Sequence, residues 1–263
     1  MSGDASSSIQ VEQQVAASRR QLWEACSSAE SLARWQADDV SGEVRAGSKL
    51  TLRYPAFGAE VSLNVRECVP EQLLVFQTEG SQVELRFFDG GIALVHSGAE
   101  VAVDPQGILS SWRLSLAQLA HSVERHPEED RTVNWVLRRA QASAELVHLC
   151  FTEDHCLSQW LGQGRVGAEA ERYEIQGQEG LALSGIVKVN VSGRDVALSC
   201  ETLRDSMLIL RTLPSPSGAS ERIIALCWSS WGEQDAPWML PTLEALESAS
   251  DDLQLFLRRT GRD

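Results

Sequence analysis

The densest gathering of reactive side chains is CFTEDHC, residues 150–156, which carries Cys150, Asp154, His155 and Cys156, with His148 just upstream. Thiolate, imidazole and carboxylate are the ligand types that zinc takes. The spacing speaks against a zinc site: there is no Cys-x-x-Cys pair and no His-Glu-x-x-His arrangement. Adjacent His155 and Cys156 also point in different directions on a helix. The segment reads as a helix with one apolar and one polar face, and no metal or cofactor is expected. No nucleophile with a matching base is legible, nor a Gly-rich phosphate loop or a Gly-x-Ser-x-Gly elbow. No residue is therefore assigned a catalytic role.

Polar residues on inward strand faces are more informative. In VELRFFDGGIALVHSG, residues 83–98, Asp89-Gly90-Gly91 supplies a hairpin turn. In the following strand Ile92, Leu94 and His96 share one side, which places His96 inside. Glu67 continues the parity of Val61, Leu63 and Val65, and Tyr54 that of Leu50 and Leu52. His96 is then either a hydrogen-bonded core histidine or the polar anchor of a cavity. Glu67 is either an inward group or a strand-end residue near a turn. Tyr54 is a second candidate polar contact, and Phe76, Phe87 and Trp112 are candidate apolar walls. Trp35, Trp112, Trp160 and Trp238 read as core packing or as cavity wall.

The elements that would position these residues occur twice. LWEACSSAESLARW, residues 22–35, has an echo 125 residues later in VHLCFTEDHCLSQW, residues 147–160, with Leu32/Leu157 and Trp35/Trp160 identical. Each copy opens on a short alternating stretch: Ile9, Val11 and Val15, or Val133, Trp135 and Leu137. A segment of helical periodicity follows, where Ser27 or Ser28, and Thr152, can cap a turn. Several strands come next. Each copy closes on an amphipathic helix entered through a Trp, from Trp112 in the first and Trp238 in the second. A curved antiparallel sheet with one long helix across it is the two-layer solution for this order.

Bulk properties set the outer limits. The chain of 263 residues suits two domains of about 130. Its net charge of −14 repels phosphate backbones, so no nucleic-acid partner is expected. The start MSGDASSSIQ has neither a basic nor an apolar region of a signal peptide, and apolar runs such as IIALCW are too short for membrane insertion. A cytoplasmic protein is expected, with its six cysteines as free thiols.

These residues resemble a known family. AELVHLCFTEDHCLSQWL is similar to the helix signature of the Hsp90-ATPase-activator-homologue branch of the START/Bet v 1-like (SRPBCC) superfamily. The fit is carried by Thr152, Glu153, Asp154, Leu157 and Trp160, and ESLARW matches it in the first copy. VPEQLLVF resembles the family's Pro-x-x-Leu-Val-Phe turn, LVHSGAEV its Leu-x-His-x-Gly strand end, and SSWGEQDAPW the segment leading into its last helix. The family's glycine pair is reduced to Gly47 in the first copy. The resemblance implies a helix-grip domain with a cavity between sheet and helix. Members bind apolar small molecules, act as cyclases, or serve as Hsp90 co-chaperones in stress responses, and fold alone does not choose among these.

The reading is therefore an α+β protein of two tandem helix-grip domains, each a curved antiparallel sheet wrapped around a long C-terminal helix. Residues 1–8 form a disordered tail, 9–126 the first domain, 127–131 a linker and 132–260 the second domain. The expected role is non-catalytic binding of an apolar or aromatic small molecule, in a pocket of about 300–1,000 Å³. The first domain is the better candidate, because Trp228 and Trp231 are bulky enough to fill the second cavity. Expected ligand contacts are Tyr54, Glu67, Phe76, Phe87, His96 and Trp112. The alternatives are docking of a protein partner, as an Hsp90-type co-chaperone would do, and an aromatic cyclase-like enzyme.

Overall fold

A computed structural model describes residues 7–177, 181–232 and 237–260, with only the backbone at Ala219. The chain divides into two compact units, 1–131 and 132–263. Residues 1–6 of the expected N-terminal tail lie outside the described residues, as do 233–236 of the SSWGEQDAPW segment.

The first unit opens with β1 (Ser8–Gln14), followed by helices α1 (Arg19–Cys26) and α2 (Ala29–Ala33). Strands β2 (Asp39–Gly42), β3 (Lys49–Tyr54), β4 (Ala59–Val69), β5 (Leu73–Gln77), β6 (Ser81–Phe88) and β7 (Gly91–Gly98) come next. A short α3 (Ala99–Val103) and the long α4 (Pro105–Arg125) complete it. The second unit runs β8 (Arg131–Gln141), α5 (Ala144–Thr152), α6 (Asp154–Leu157), β9 (Gly162–Arg165), β10 (Arg172–Gly177), β11 (Ala182–Val191), β12 (Asp195–Cys200), β13 (Ser206–Ser215), β14 (Gly218–Trp231) and α7 (Met239–Thr260).

Both sheets have seven strands and the same order. The first is β1-β7-β6-β5-β4-β3-β2 and the second β8-β14-β13-β12-β11-β10-β9. In each, the opening strand pairs with the closing one and the rest form an antiparallel meander. Each unit has its own core. In the first, Leu116, Leu119 and Ala120 of α4 pack with Leu50, Phe76 and Leu94 of the sheet. In the second, Leu246, Ala249, Leu253 and Leu257 of α7 pack with Val187, Leu198 and Leu226. The 3-to-4-residue spacing puts these helical residues on one stripe, so a single helix face meets the sheet.

Local chemistry explains the conserved pair in the echo. Ser18 opens α1 with a reciprocal cap: its Oγ accepts from the Gln21 amide, and Gln21 Oε1 accepts from the Ser18 amide. Ser28 caps α2 by accepting from the Ser31 amide at 3.0 Å. Thr152 is not a cap; it ends α5 and its hydroxyl donates back to the His148 carbonyl, a competing bond that Thr makes inside helices. Two residues beyond α2, the Trp35 indole donates to the Ala25 carbonyl at 2.9 Å. In the second unit Trp160 donates to the Cys150 carbonyl at 2.7 Å. Both acceptors stand in the last turn of a helix, where carbonyls lack intrahelical partners. The echo thus preserves one device: a buried indole that closes a helix end.

The long helix of the first unit starts earlier than its Trp. Asp104 caps it by accepting from the Gly107 amide at 2.9 Å, and Pro105 takes the first helical position. Pro there needs no hydrogen bond and has the right φ. Trp112 consequently sits inside α4 rather than at its entrance.

Candidate functional site

Between the sheet and the helices of the first unit lies a cavity of about 160 Å³. Strands β3, β4 and β6 line it with Leu52, Leu63, Val83 and Leu85, and α2 and the turn after it add Leu32 and Trp35. Tyr54, Phe76, His96 and Trp112 all reach it, together with Gln36, Thr78 and Glu100. The surface is mainly apolar. Its volume is below the range expected from the sequence and close to the roughly 150 Å³ of an engineered core cavity that holds one benzene.

Two of the expected contacts lie elsewhere. Glu67 is exposed. The register runs Val65 to Phe76 and then Glu67 to Val75, so Arg66 is an extra residue and the strand bulges there. A bulge reverses the side-chain parity beyond it, which turns Glu67 away from the face that carries Phe76. Phe87 keeps the inward parity of Val83 and Leu85, but it stands farther along β6. It meets Trp23 of α1 edge-on, ring centres 5.5 Å apart, and belongs to the core.

His96 is 4% exposed and lines the cavity. The Trp112 indole donates to its Nδ1 at 2.9 Å. An indole N–H can only donate, so Nδ1 is the acceptor and the neutral ring carries its proton on Nε2. That Nε2 is buried and has no hydrogen-bond partner. The nearest carboxylate oxygen, Glu100 Oε2, is 3.8 Å away, beyond hydrogen-bond reach. Gln36 Oε1 is a second buried polar atom without a partner. The Tyr54 hydroxyl donates to the Gln36 backbone carbonyl at 3.2 Å.

Sequence reading missed Glu100 and Gln36. Glu100 is brought to His96 by Gly98, whose φ is +126° and whose position a Cβ could not share, since it would fall 2.3 Å from the Gly80 carbonyl oxygen. That glycine lets β7 turn at once into α3. The His-x-Gly strand end was the available signal. Gln36 directly follows the helix-closing Trp35, and nothing in its spacing marks it.

Burial lowers the pKa of His96, with the nearby Glu100 carboxylate acting in the opposite sense. Burial lowers that of His148 too, against a 2.9 Å hydrogen bond with Asn190. The sign for stability follows. Around pH 6.5 and below, the unfolded chain takes up protons that the folded imidazoles refuse, so their stabilising contribution is complete above pH 6.5 and is lost as pH falls through the folded values. Both imidazoles are expected to titrate below pH 6.5 in an NMR pH series, and denaturant midpoints should fall over the same window. A value above 6.5 for either ring would contradict the burial argument.

The second unit is built differently at the matching place. In the first unit Val83 faces His96 across β6 and β7. In the second, Leu208, 125 positions on from Val83, faces Trp228. Trp228 is 2% exposed, donates to the Ser206 hydroxyl at 3.0 Å and stacks edge-on against Trp238, 5.5 Å away. An indole thus occupies the position that an imidazole holds beside the cavity. Cys150 and Cys156 are buried thiols whose pKa values burial raises. Among the described residues, no group of three His, Cys, Asp or Glu side chains gathers as a metal site would require.

Comparison with known proteins bears on residues 16–124, which match the family described as Activator of Hsp90 ATPase homolog 1-like protein. No curated protein matches the chain. Among solved structures, the di-domain ARO/CYC BexL from the BE-7585A biosynthetic pathway is 13% identical, with a TM-score of 0.43, covering 98% of this chain and 99% of that one. The Aha1 dimer from Colwellia psychrerythraea is 18% identical, with a TM-score of 0.40, over 45% of this chain and 96% of that one. Protein BH1534 from Bacillus halodurans is 25% identical, with a TM-score of 0.38, over 45% of this chain and 97% of that one. Residues 16–124 of the first unit thus match the family model of the Activator of Hsp90 ATPase homolog 1-like proteins, and the second unit repeats the strand order of the first.

Proposed function

We propose that the first unit binds a small apolar or aromatic molecule in its cavity, without catalysis, while the second unit is mainly structural. The observation that carries this is an apolar cavity of about 160 Å³ with one buried imidazole nitrogen, His96 Nε2, left without a partner. An unsatisfied buried donor is costly, and a ligand acceptor would remove that cost. Tyr54, Phe76 and Trp112 supply rings to the wall, and His96 orients the ligand. Among the described residues that line the cavity there is no thiol or serine, and the Thr78 hydroxyl donates to the Ser81 carbonyl at 3.4 Å. A docking role has less support. The large apolar side chains exposed among the described residues, Val61, Val103, Leu149, Leu240 and Leu255, are spread over β4, α3, α5 and α7. The free cysteines of both units suit a reducing, cytoplasmic setting.

Filling the cavity tests the reading. Leu63→Trp is expected to abolish binding of benzene or phenol in an NMR titration, with folded stability within about 1.5 kcal/mol of the parent because the added ring enters empty space. Unchanged binding in the filled variant would refute the assignment.

A further inference from the structure

Three polar groups on the cavity lining restrict what it accepts. His96 offers a donor, Nε2–H, because Trp112 already holds Nδ1. Glu100 offers a carboxylate 3.8 Å from that nitrogen. Gln36 offers a buried carbonyl oxygen with no partner. Among the described residues no Lys or Arg lines the cavity, so an anionic ligand would meet the Glu100 charge without a lining cation to offset it. A group that only accepts would satisfy His96 and leave Gln36 unpaired. An apolar ring would satisfy neither.

Building on the binding role proposed above, we infer that the ligand is a neutral phenol of a single ring, whose hydroxyl accepts from His96 Nε2–H and donates to the Glu100 carboxylate. A hydroxyl fits the geometry. An oxygen about 2.8 Å from both atoms, an ordinary hydrogen-bond length, closes a triangle on their 3.8 Å separation. A hydroxyl is also the smallest group that donates and accepts at one atom. The size agrees, since about 160 Å³ holds one benzene ring with little to spare. Gln36 Oε1 then accepts from a second donor on the same ring, which makes a dihydroxybenzene a better occupant than phenol.

The test uses the full chain and a panel of benzene, anisole, benzoate, phenol and the three dihydroxybenzenes, with dissociation constants from NMR titration at pH 7. Phenol should bind about tenfold tighter than benzene and anisole, the value of one buried hydrogen bond, and benzoate should be weakest. At least one dihydroxybenzene should exceed phenol severalfold. His96→Leu should erase the preference for phenol over benzene. Gln36→Leu should erase only the gain from the second hydroxyl. Glu100→Gln, at a half-exposed position that tolerates change, should narrow the gap between phenol and benzoate even if His96→Leu fails to fold. Equal affinity for benzene, anisole and phenol would overturn the phenol assignment and leave the binding role standing. Binding of none of them would overturn both.

Discussion

Replacing Trp228 with alanine is expected to destabilise the second unit by about 3–5 kcal/mol, the usual loss for a buried Trp, and to create an aromatic site there. Trp228 is 2% exposed, and its ring lies 5.5 Å from that of Trp238. Its indole N–H donates to the buried Ser206 hydroxyl. Truncation removes the packing and leaves that hydroxyl without its donor. The void would be lined by Leu208 and Leu226 of the core, and apolar voids of this kind stay dry and take up benzene. Benzene at a hundredfold above its dissociation constant should restore about 2.7 kcal/mol. Denaturant unfolding with and without benzene measures both quantities. A loss below about 1 kcal/mol, or a loss that benzene does not offset, would show that Trp228 is not the plug of this unit.

Trp160→Ala should be as damaging, for a different reason. Trp160 is 1% exposed, packs edge-on against Phe151 at 6.3 Å and donates to the Cys150 carbonyl at 2.7 Å. The expected loss is again about 3–5 kcal/mol. Trp160→Phe separates the parts: most packing is kept, but the carbonyl at the end of α5 loses its donor, at a cost of about 1–3 kcal/mol. Trp35→Ala should destabilise similarly, through the matching bond to Ala25. It should also weaken ligand binding, because Trp35 lines the cavity whereas Trp160 has no such duty in the first unit. If Trp160→Phe is as stable as the parent, the indole bond is not what maintained the echo between the two copies.

Local pattern carried much of this protein. The repeat was legible because each unit has an indole at the same point closing a helix end, Trp35 and Trp160, with Leu32 and Leu157 buried in the two cores. Element order implied a meander closed by a long helix, since alternation and helical periodicity are properties of neighbouring residues. Parity placed Tyr54 and His96 toward the interior, and both line the cavity together with Phe76. Parity failed at Glu67, where one extra residue in β4 reversed the faces; a bulge depends on pairing with β5, which the strand's own sequence does not reveal. It was insufficient at Phe87, because facing inward does not say which end of the sheet a ring meets. The sequence determined that there would be two sheets, their helices and an inward histidine. Only tertiary structure decided that Trp112 would occupy Nδ1, that Gly98 would carry Glu100 to within 3.8 Å of Nε2, and that Gln36 would arrive from another element. Those are juxtapositions of side chains carried by different elements, and they exist only once the sheet has curved around its helix.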